Sequence, residues 1–511
     1  MPTVRQATID LLRHHGLTTW FGNPGSSALT LLEDFPDDFR YRPRMGALYN
    51  AHLNKTPLIV TAGNQRRAMQ NQKCLLTNED ATFVPRPFVK WSAEPAIASE
   101  VPAVLAHAVH VAMAPPAGPV FVSLPMDDMT YELDDAQVAE IEVIRDRTVT
   151  YAGAFPSRLA KKIAARLDAA KAPAFVVGGD LEHAGAWDLI VKLAERTRAA
   201  VWTTPLPGLS GFPEDHPLYH GQLSPGAGWI SQSLAGNDLV VVFGGPVFRY
   251  YPYIPGPYLP EGTSLIHITG DTDEAARAPV GDAYVGDLRA ATAALLGEVS
   301  ETTPRTAPDA RPDVPPLEQA EAPLDPAQVF AAVGRAAPQD TLFVTEAGSN
   351  ELEITKYVRA RASLSHISAV GGGLGFGLPA AVGAQLGAPE RPVVALMGDG
   401  SMQYAVQALW SASTYRIPVT IVVASNEEYG VLKEFRDIEG ARGVPGLDLP
   451  GLDITATAAS YGVDTYEATT PAEVGELLRA GASDRERPTL INVRTTRVPS
   501  VPRRVGAPAN A

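Results

Sequence analysis

Two oxygen-bearing side chains, Asp399 and Asn426, follow two apolar runs late in the sequence. Asp399 lies in Gly-Asp-Gly directly after the run 393–397, and Asn426 follows the run 419–424. With a helix between the runs, both side chains lie at the carboxyl ends of two parallel strands, where open α/β sheets bind ligands. Carboxylate and amide oxygens suit Mg²⁺, which would bring a diphosphate with it. A Gly-Asp-Gly alone is more often an ordinary turn, but the spacing of 27 residues favours a metal site.

The sequence around these side chains predicts short strands that alternate with helices. Gly and Pro together are 89 of the 511 residues, which is typical of a chain with many strand-to-helix turns. Short β-branched runs are spaced by helical stretches and predict buried parallel strands. The clearest runs are 57–62, 174–177, 239–243, 393–397 and 419–424. The pattern predicts the α/β class with doubly wound parallel sheets.

The length of 511 residues predicts about three domains. The clearest linker is 301–325, with six prolines and no apolar periodicity. A weaker boundary lies near 129–154, and the tail from Arg497 onward has little pattern. We therefore expect domains over 1–150, 151–300 and 326–496, with a tail over 497–511.

Composition excludes several classes of function. The net charge of −15 opposes binding to nucleic acid, so phosphates would be held by backbone amides or a metal. The longest apolar runs are six or seven residues, so we expect no membrane span and no secretory signal. One cysteine, Cys74, excludes an intrachain disulfide. These features predict a cytoplasmic protein.

Several segments resemble the benzoylformate decarboxylase family of thiamine diphosphate-dependent 2-oxo acid decarboxylases, in order and over nearly the whole chain. Gly398-Asp399-Gly400 and the segment 425–430 match the signature of the thiamine diphosphate enzymes. The other matching segments are 21–26, 34–41, 57–63, 85–91, 246–250 and 372–379. The resemblance implies an aminopyrimidine-binding, a middle and a diphosphate-binding domain. It also implies a homodimer or homotetramer with active sites between subunits, a small 2-oxo acid substrate, and a place in mandelate catabolism.

The resemblance also implies a ligand set and a cofactor site. Mg²⁺ would be bound by the side chains of Asp399 and Asn426 and by the backbone carbonyl of Glu428, while Ser425 replaces a second asparagine usual in the family. Gly372 would offer its carbonyl to the aminopyrimidine, and Leu374 would hold the cofactor in its bent form. The remaining cofactor positions are Gly348, Ser349, Gly400 and Ser401.

Two further positions concern the substrate. The resemblance makes Ser26 a catalytic contact to the substrate carboxylate, although its local sequence equally suits a helix N-cap. Tyr251 stands where the family has one of two proton-transferring histidines. A phenol can donate a hydrogen bond or a proton, but it is a poor general base at neutral pH.

The main departure from the family lies between Tyr41 and Met45. Roughly thirty residues of the family pattern are missing there, including a strand-helix-strand unit, the other histidine and the glutamate that activates the cofactor. We find no substitute glutamate. A damaged reading frame, a genuine internal deletion and another route of activation are the three explanations. The first is favoured because the missing segment spans core structure.

The sequence thus predicts a thiamine diphosphate- and Mg²⁺-dependent carboxy-lyase that converts an aromatic 2-oxo acid to an aldehyde and CO₂. Loss of the activating glutamate predicts impaired activity. A carboligase similar to acetolactate synthase is the enzymatic alternative, because such enzymes share the signature. A non-catalytic protein that binds the cofactor is the alternative from another class.

Overall fold

The computed structural model describes residues 2–21, 29–32, 35–42, 48–249, 251, 253–301, 320–442 and 444–497. The chain divides into two compact units, Met1–Ala152 with Gly371–Gly373, and Gly153–Val370 with Leu374–Ala511. Within the described ranges, no helix has the length and apolar character needed to cross a membrane. The α/β class with parallel sheets is confirmed, with main sheets of three, six and six strands.

The first unit holds a three-stranded parallel sheet and a separate parallel pair. Its strands are β1 (Thr19–Phe21), β2 (Arg40–Arg42), β3 (Leu58–Asn64), β4 (Trp91–Ala93) and β5 (Pro119–Pro125). Its helices are α1 (Val4–His14), α2 (Leu29–Leu32), α3 (Leu48–Leu53), α4 (Arg67–Gln70), α5 (Val101–Met113) and α6 (Asp135–Arg145). The sheet order is β3-β5-β4, and β5 is buried along its whole length beneath α5.

Strands β1 and β2 pair in parallel with each other. Among the described residues they form no ladder with β3, β4 or β5, so the strands of this unit fall into two sheets. Residues 43–47, where the family pattern is interrupted, lie outside the described residues.

The second unit begins with a six-stranded parallel sheet. Its strands are β6 (Pro173–Val177), β7 (Ala200–Thr203), β8 (Tyr219–Gln222), β9 (Leu239–Phe243), β10 (Ser264–Thr269) and β11 (Asp282–Val285). Its helices are α7 (Ser157–Ala169), α8 (Asp180–His183), α9 (Trp187–Thr197), α10 (Ala227–Ser233), α11 (Thr272–Arg277) and α12 (Leu288–Glu298). The order β11-β10-β9-β6-β7-β8 places β6 and β9 at the centre, where every residue of both strands is buried.

A second six-stranded parallel sheet carries the predicted metal ligands. Its strands are β12 (Leu342–Glu346), β13 (His366–Ser368), β14 (Val393–Gly398), β15 (Val419–Ser425), β16 (Asp464–Ala468) and β17 (Thr489–Arg494). Its helices are α13 (Pro326–Ala336), α14 (Glu351–Tyr357), α15 (Gly377–Gly387), α16 (Asp399–Gln403), α17 (Ala408–Thr414), α18 (Gly430–Ile438), α19 (Ile454–Ser460) and α20 (Pro471–Ser483). Two buried apolar clusters, one on each face, cover the sheet. Its order is β13-β12-β14-β15-β17-β16.

The helix predicted between the two ligand strands is divided in two. We predicted one helix over 401–415, whereas the structure has α16 and then α17, joined by tight turns over 404–407. The predicted crossover itself is correct, because β14 and β15 are adjacent and parallel with Gly398 opposite Ala424. Both strands therefore deliver their following residues to the same edge of the sheet.

The end of the Pro-rich segment packs against this sheet. Residues 302–319 lie outside the described residues, but Leu324 is fully buried and pairs with Thr495 just beyond β17. Asp325 then caps α13, accepting a hydrogen bond from the backbone N–H of Ala327. Pro326 at the first helical position suits the start of a helix, because its fixed φ is helical and it lacks a donor that would be unpaired there.

Candidate functional site

The structure brings Asp399 and Asn426 together at the edge predicted from their spacing. Asp399 is the first residue of α16 and only 3% exposed. Its Oδ1 accepts the N–H of Gly400 at 2.8 Å. Its Oδ2 accepts the N–H groups of Asn426 at 3.1 Å and Glu427 at 2.7 Å. The carboxylate of Asp399 thus joins the turn after β14 to the turn after β15.

The electrostatics of Asp399 suit a bound cation. Burial raises its pKa, and the three backbone N–H groups partly offset this effect. Within the described ranges no lysine or arginine forms an ion pair with this carboxylate. Those ranges also contain no cluster of three or more His, Cys, Asp and Glu suited to a metal. A metal here would therefore need amide and carbonyl oxygens beside Asp399, which is the predicted ligand set.

The turn after β15 is ordered by hydrogen bonds within itself and with β17. Asn426 Oδ1 accepts the N–H of Glu428 at 3.2 Å, which orients the amide. Ser425, the departure from the family's second asparagine, donates its hydroxyl to Asn492 of β17. The hydroxyl of Ser425 is therefore bonded to a neighbouring strand of the sheet, and this hydrogen bond does not involve a predicted metal ligand.

The predicted diphosphate contacts lie beside the same turn. Gly348 and Ser349 form a short 3₁₀ turn directly after β12, and Ser349 Oγ accepts the N–H of Val431 at 2.9 Å. A Cβ at Gly430 would lie 2.9 Å from Ser349 Oγ and 3.2 Å from the side-chain nitrogen of Asn426. The structure thus groups Ser349 with Asn426 in close packing that requires glycine between them.

The other two predicted cofactor positions in this region, Gly400 and Ser401, are buried in α16. A Cβ at Gly400 would lie 2.5 Å from a ring carbon of Tyr429, so no side chain fits there without movement of that ring or of the turn that carries it. Backbone atoms can consequently approach closely at this position.

The glycine-rich segment 371–377 belongs partly to each compact unit. In the first unit, Gly372 has a φ of +65°, which favours glycine, and the carbonyl of Gly373 accepts the side-chain N–H of Asn50 at 2.9 Å. In the second unit, Leu374 is 37% exposed, so this large apolar side chain is available for contact rather than part of a core.

Glu346, at the end of β12, is a site residue whose role the sequence did not reveal. Its Oε1 accepts the N–H of Phe376 at 2.9 Å, and its Oε2 accepts the N–H of Gly377 at 3.1 Å. The side chain therefore caps α15 from a neighbouring strand and fixes the end of the glycine-rich segment. Burial raises the pKa of Glu346 to about 7, although these hydrogen bonds lower it. A glutamate directly before the Ala-Gly-Ser turn was the available signal.

Of the two positions predicted to act on the substrate, the structure describes Tyr251 but not Ser26. Ser26 lies outside the described residues. Tyr251 is 61% exposed, and its ring packs edge-on against Phe435 of α18 with ring centroids 4.7 Å apart. Sequence reasoning missed Phe435, whose only local signal is its place in the apolar stripe of α18, the helix that follows the turn after β15. The two rings form an aromatic contact on α18, the helix that follows Asn426 in the chain.

Comparisons with known proteins agree with this geometry. Residues 346–493 match the model "Thiamine pyrophosphate enzyme, C-terminal TPP binding domain", and residues 160–295 match the central domain of the same enzymes. Benzoylformate decarboxylase of Pseudomonas aeruginosa is 41% identical, with 97% of this chain and 99% of that protein covered. The acetolactate synthase large subunit of Parasynechococcus marenigrum is 27% identical, with 96% of this chain and 87% of that protein covered.

A solved structure supports the same relationship. The thiamine diphosphate-dependent 4-hydroxybenzoylformate decarboxylase of Rhodococcus jostii superposes with a TM-score of 0.93 at 38% identity, covering 97% of this chain and 99% of that chain. The likeness in sequence and in structure extends over nearly the whole length of the chain and of each relative, and the TPP-binding domain contains Asp399, Asn426 and Ser349. This chain therefore belongs to the benzoylformate decarboxylase family of thiamine diphosphate-dependent carboxy-lyases.

Proposed function

We propose that this protein decarboxylates an aromatic 2-oxo acid of the benzoylformate type to an aldehyde and CO₂, with thiamine diphosphate and Mg²⁺ bound at Asp399 and Asn426. The observation that carries the proposal is the buried Asp399 carboxylate, which joins the turns after β14 and β15. The relatives named for benzoylformate and 4-hydroxybenzoylformate support the substrate class.

The residues of the site fit the metal and the diphosphate. Asp399 supplies negative charge in a buried position, and Asn426 supplies an amide oxygen held by Glu428 N–H. Ser349 and Gly430 offer a hydroxyl and a narrow backbone approach beside them. Hard oxygen ligands on a rigid turn favour Mg²⁺ carrying a phosphate group. The backbone carbonyl of Glu428 completes the proposed ligand set.

Bound thiamine diphosphate would supply the nucleophilic carbon and the electron sink that decarboxylation of a 2-oxo acid requires. The protein itself would orient the cofactor and the substrate, exclude water from the site and move protons. Glu346 holds the backbone beside Leu374, which we propose fixes the cofactor's conformation. Tyr251 can donate its phenolic proton toward a reacting oxygen or carbon, and Phe435 offers an aromatic edge for an aryl group.

We expect the shortened first domain to lower the rate of turnover. The alignment with the Pseudomonas enzyme has 530 positions; 97% of 511 residues is about 496, which leaves about 34 positions opposite gaps in this chain. Since 99% of the relative is covered, these gaps are internal, which supports a missing segment of the expected size. We therefore propose that cofactor activation is impaired, because the glutamate of that segment is absent.

A carboligase is the second candidate, and it is weaker. The relative of that class shares 27% identity against 41% for the decarboxylase. A non-catalytic protein that binds the cofactor would keep Asp399 and Asn426 but lack turnover. The partner in any of these cases is proposed to be a second copy of the chain, in a homodimer or homotetramer.

The deciding experiment measures exchange of the thiazolium C2 proton with D₂O in cofactor bound to the full chain with Mg²⁺. Exchange well above that of free cofactor, followed by release of benzaldehyde from benzoylformate, supports the decarboxylase. A 2-hydroxy ketone as the main product would indicate the carboligase. Exchange at the free rate despite binding would indicate a protein that holds the cofactor without activating it.

A further inference from the structure

A partly buried group of four charged side chains surrounds Glu428; we call Glu428, Lys433, Asp448 and Arg497 the Glu428 network. Lys433 Nζ contacts both the carboxylate of Glu428 and that of Asp448. Arg497 Nε lies 3.3 Å from Glu428 Oε1. The side chains of Glu428 and Lys433 are each only 14% exposed, whereas Asp448 is 74% exposed. The network has no net charge.

The backbone around Glu428 is held as well. Glu428 and Asp448 form an antiparallel bridge. On either side of it, Tyr429 N–H donates to Leu447 O at 2.9 Å and Leu449 N–H donates to Glu427 O at 2.8 Å. The side-chain ion pair through Lys433 therefore reinforces a short two-stranded contact at the same point.

The network joins directly to the proposed metal ligands. The N–H of Glu428 fixes the amide of Asn426, and the backbone carbonyl of Glu428 is itself a proposed ligand. The carboxylate of Glu428 belongs to the same residue, so it could compete for the metal if it were free. Lys433 instead donates a hydrogen bond to one of its oxygens, and Arg497 lies at ion-pair distance from the other without a hydrogen bond to it. Removing one partner of such a mostly buried ion pair is destabilising, because the other charge is left uncompensated.

We propose that the Glu428 network positions the metal-binding turn: it sets the Glu428 carbonyl and the Asn426 amide for Mg²⁺ and keeps the Glu428 carboxylate away from the ion. Lys433, Asp448 and Arg497 are then positioning residues that tune Mg²⁺ affinity from outside the ligand set. This inference rests on the Mg²⁺ site proposed above.

The test titrates Mg²⁺ into the full chain with thiamine diphosphate present and follows binding by quenching of tryptophan fluorescence. We expect Lys433→Met to raise the half-saturating Mg²⁺ concentration by about tenfold or more, as loss of support for a metal ligand does elsewhere. Arg436→Met is the matched control, since Arg436 lies on the same helix and pairs with the exposed Asp437. Arg436→Met should leave the half-saturating Mg²⁺ concentration unchanged. Lys433→Arg keeps the positive charge and should give a concentration close to that of the wild type.

Two further variants separate positioning from direct ligation. If the network acts as a unit, Glu428→Gln weakens Mg²⁺ binding about as much as Lys433→Met, and the double variant is no worse than either one. If Glu428→Gln weakens binding while Lys433→Met strengthens it or leaves it unchanged, the carboxylate is itself a ligand and the inference is wrong. Asp448→Asn, at an exposed position that spares the fold, should weaken binding several-fold; an unchanged value would also contradict the inference.

The proposed metal site has its own control. Asp399→Ala should abolish Mg²⁺-dependent quenching in every background. If it does not, the Mg²⁺ site of the proposed function has failed, and the Glu428 network is not the cause. Thermal unfolding of the metal-free variants monitors the fold, and a Lys433→Met protein as stable as Arg436→Met but weaker in Mg²⁺ affinity supports positioning.

Discussion

Asp399 and Glu346 are two buried carboxylates with different tasks. Both accept backbone N–H groups from turns that follow strands of one sheet. Asp399 bridges the turns that carry the proposed metal ligands, and its charge is suited to a cation. Glu346 caps α15, and neither of its hydrogen bonds comes from a charged group. Burial therefore has the largest effect on the pKa of the Glu346 carboxyl group.

The pKa of Glu346 predicts a dependence of stability on pH. Its folded value of about 7 exceeds the ordinary value of 4.5, so the folded protein keeps a proton that the unfolded chain releases. The free energy of unfolding therefore falls as pH rises from 4.5 to 7, by about 3 kcal/mol at most. We expect Glu346→Gln, which cannot ionise, to lose this dependence. Chemical denaturation of both proteins between pH 4.5 and 8 measures the difference.

The matched control for this comparison is Glu473→Gln, at an exposed helix cap whose pKa is lowered by hydrogen bonds from Thr469 and Thr470. A folded pKa below the ordinary value gives the opposite sign, because that stability is lost as pH falls. Parallel pH profiles for wild type and Glu346→Gln would contradict the prediction for Glu346.

At the scale of elements, the start of α16 and the turn before α18 must approach without a side chain between them. An alanine at Gly400 would place its Cβ 2.5 Å and 2.8 Å from ring carbons of Tyr429. The backbone of Tyr429 cannot retreat freely, because its N–H is bonded to Leu447 O. Overpacking of this kind costs about 1–3 kcal/mol. We expect Gly400→Ala to displace the turn and to weaken cofactor binding by about tenfold, measured by the same fluorescence titration.

Gly383 offers the corresponding control within α15. A Cβ at Gly383 would have no atom within 4 Å, and alanine in a helix interior is more stable than glycine by about 0.5–1 kcal/mol. Gly383→Ala should keep cofactor affinity and slightly raise the unfolding temperature. Equal affinity in both variants would show that the contact between Gly400 and Tyr429 is irrelevant to the site.

Across the whole molecule, we propose that the shortened first unit separates cofactor binding from turnover. The proposed binding residues Asp399, Asn426 and Ser349 all belong to the second unit, whereas the missing segment belongs to the first. We expect insertion of a family-like strand-helix-strand segment between Tyr41 and Met45 to raise C2 proton exchange and decarboxylation together, because the insertion restores the activating glutamate. Exchange and benzaldehyde release are measured on the full chain.

An insertion whose glutamate is replaced by glutamine is the control for that experiment. It should restore the size of the domain without the gain in exchange. If the glutamine insertion raises exchange equally, the segment acts through folding or subunit assembly, and the chemical role of the glutamate would be contradicted. Mass measurement in solution distinguishes a dimer or tetramer from a monomer in each protein.

Much of the second unit could be predicted from its sequence. The boundaries of strands β6, β9, β14 and β15 lie within one residue of the predicted apolar runs. Central parallel strands are buried on both faces, so they read as continuous apolar segments. The prediction of a single helix between β14 and β15 was wrong in the middle of the segment. Turns with i to i+3 hydrogen bonds interrupt the helix there, and no glycine or proline signals the break.

Local sequence patterns were enough to predict the class of fold, the order of the strands that carry Asp399 and Asn426, and their meeting at one edge, because these features follow from burial and backbone sterics over short stretches. The folded structure was needed to reveal that Glu346 caps α15, that Tyr251 packs on Phe435, and that Lys433 and Arg497 lie against Glu428. Those contacts join elements distant in the chain. Their distances depend on how the helices pack on the sheet, and no local pattern of residues encodes that packing.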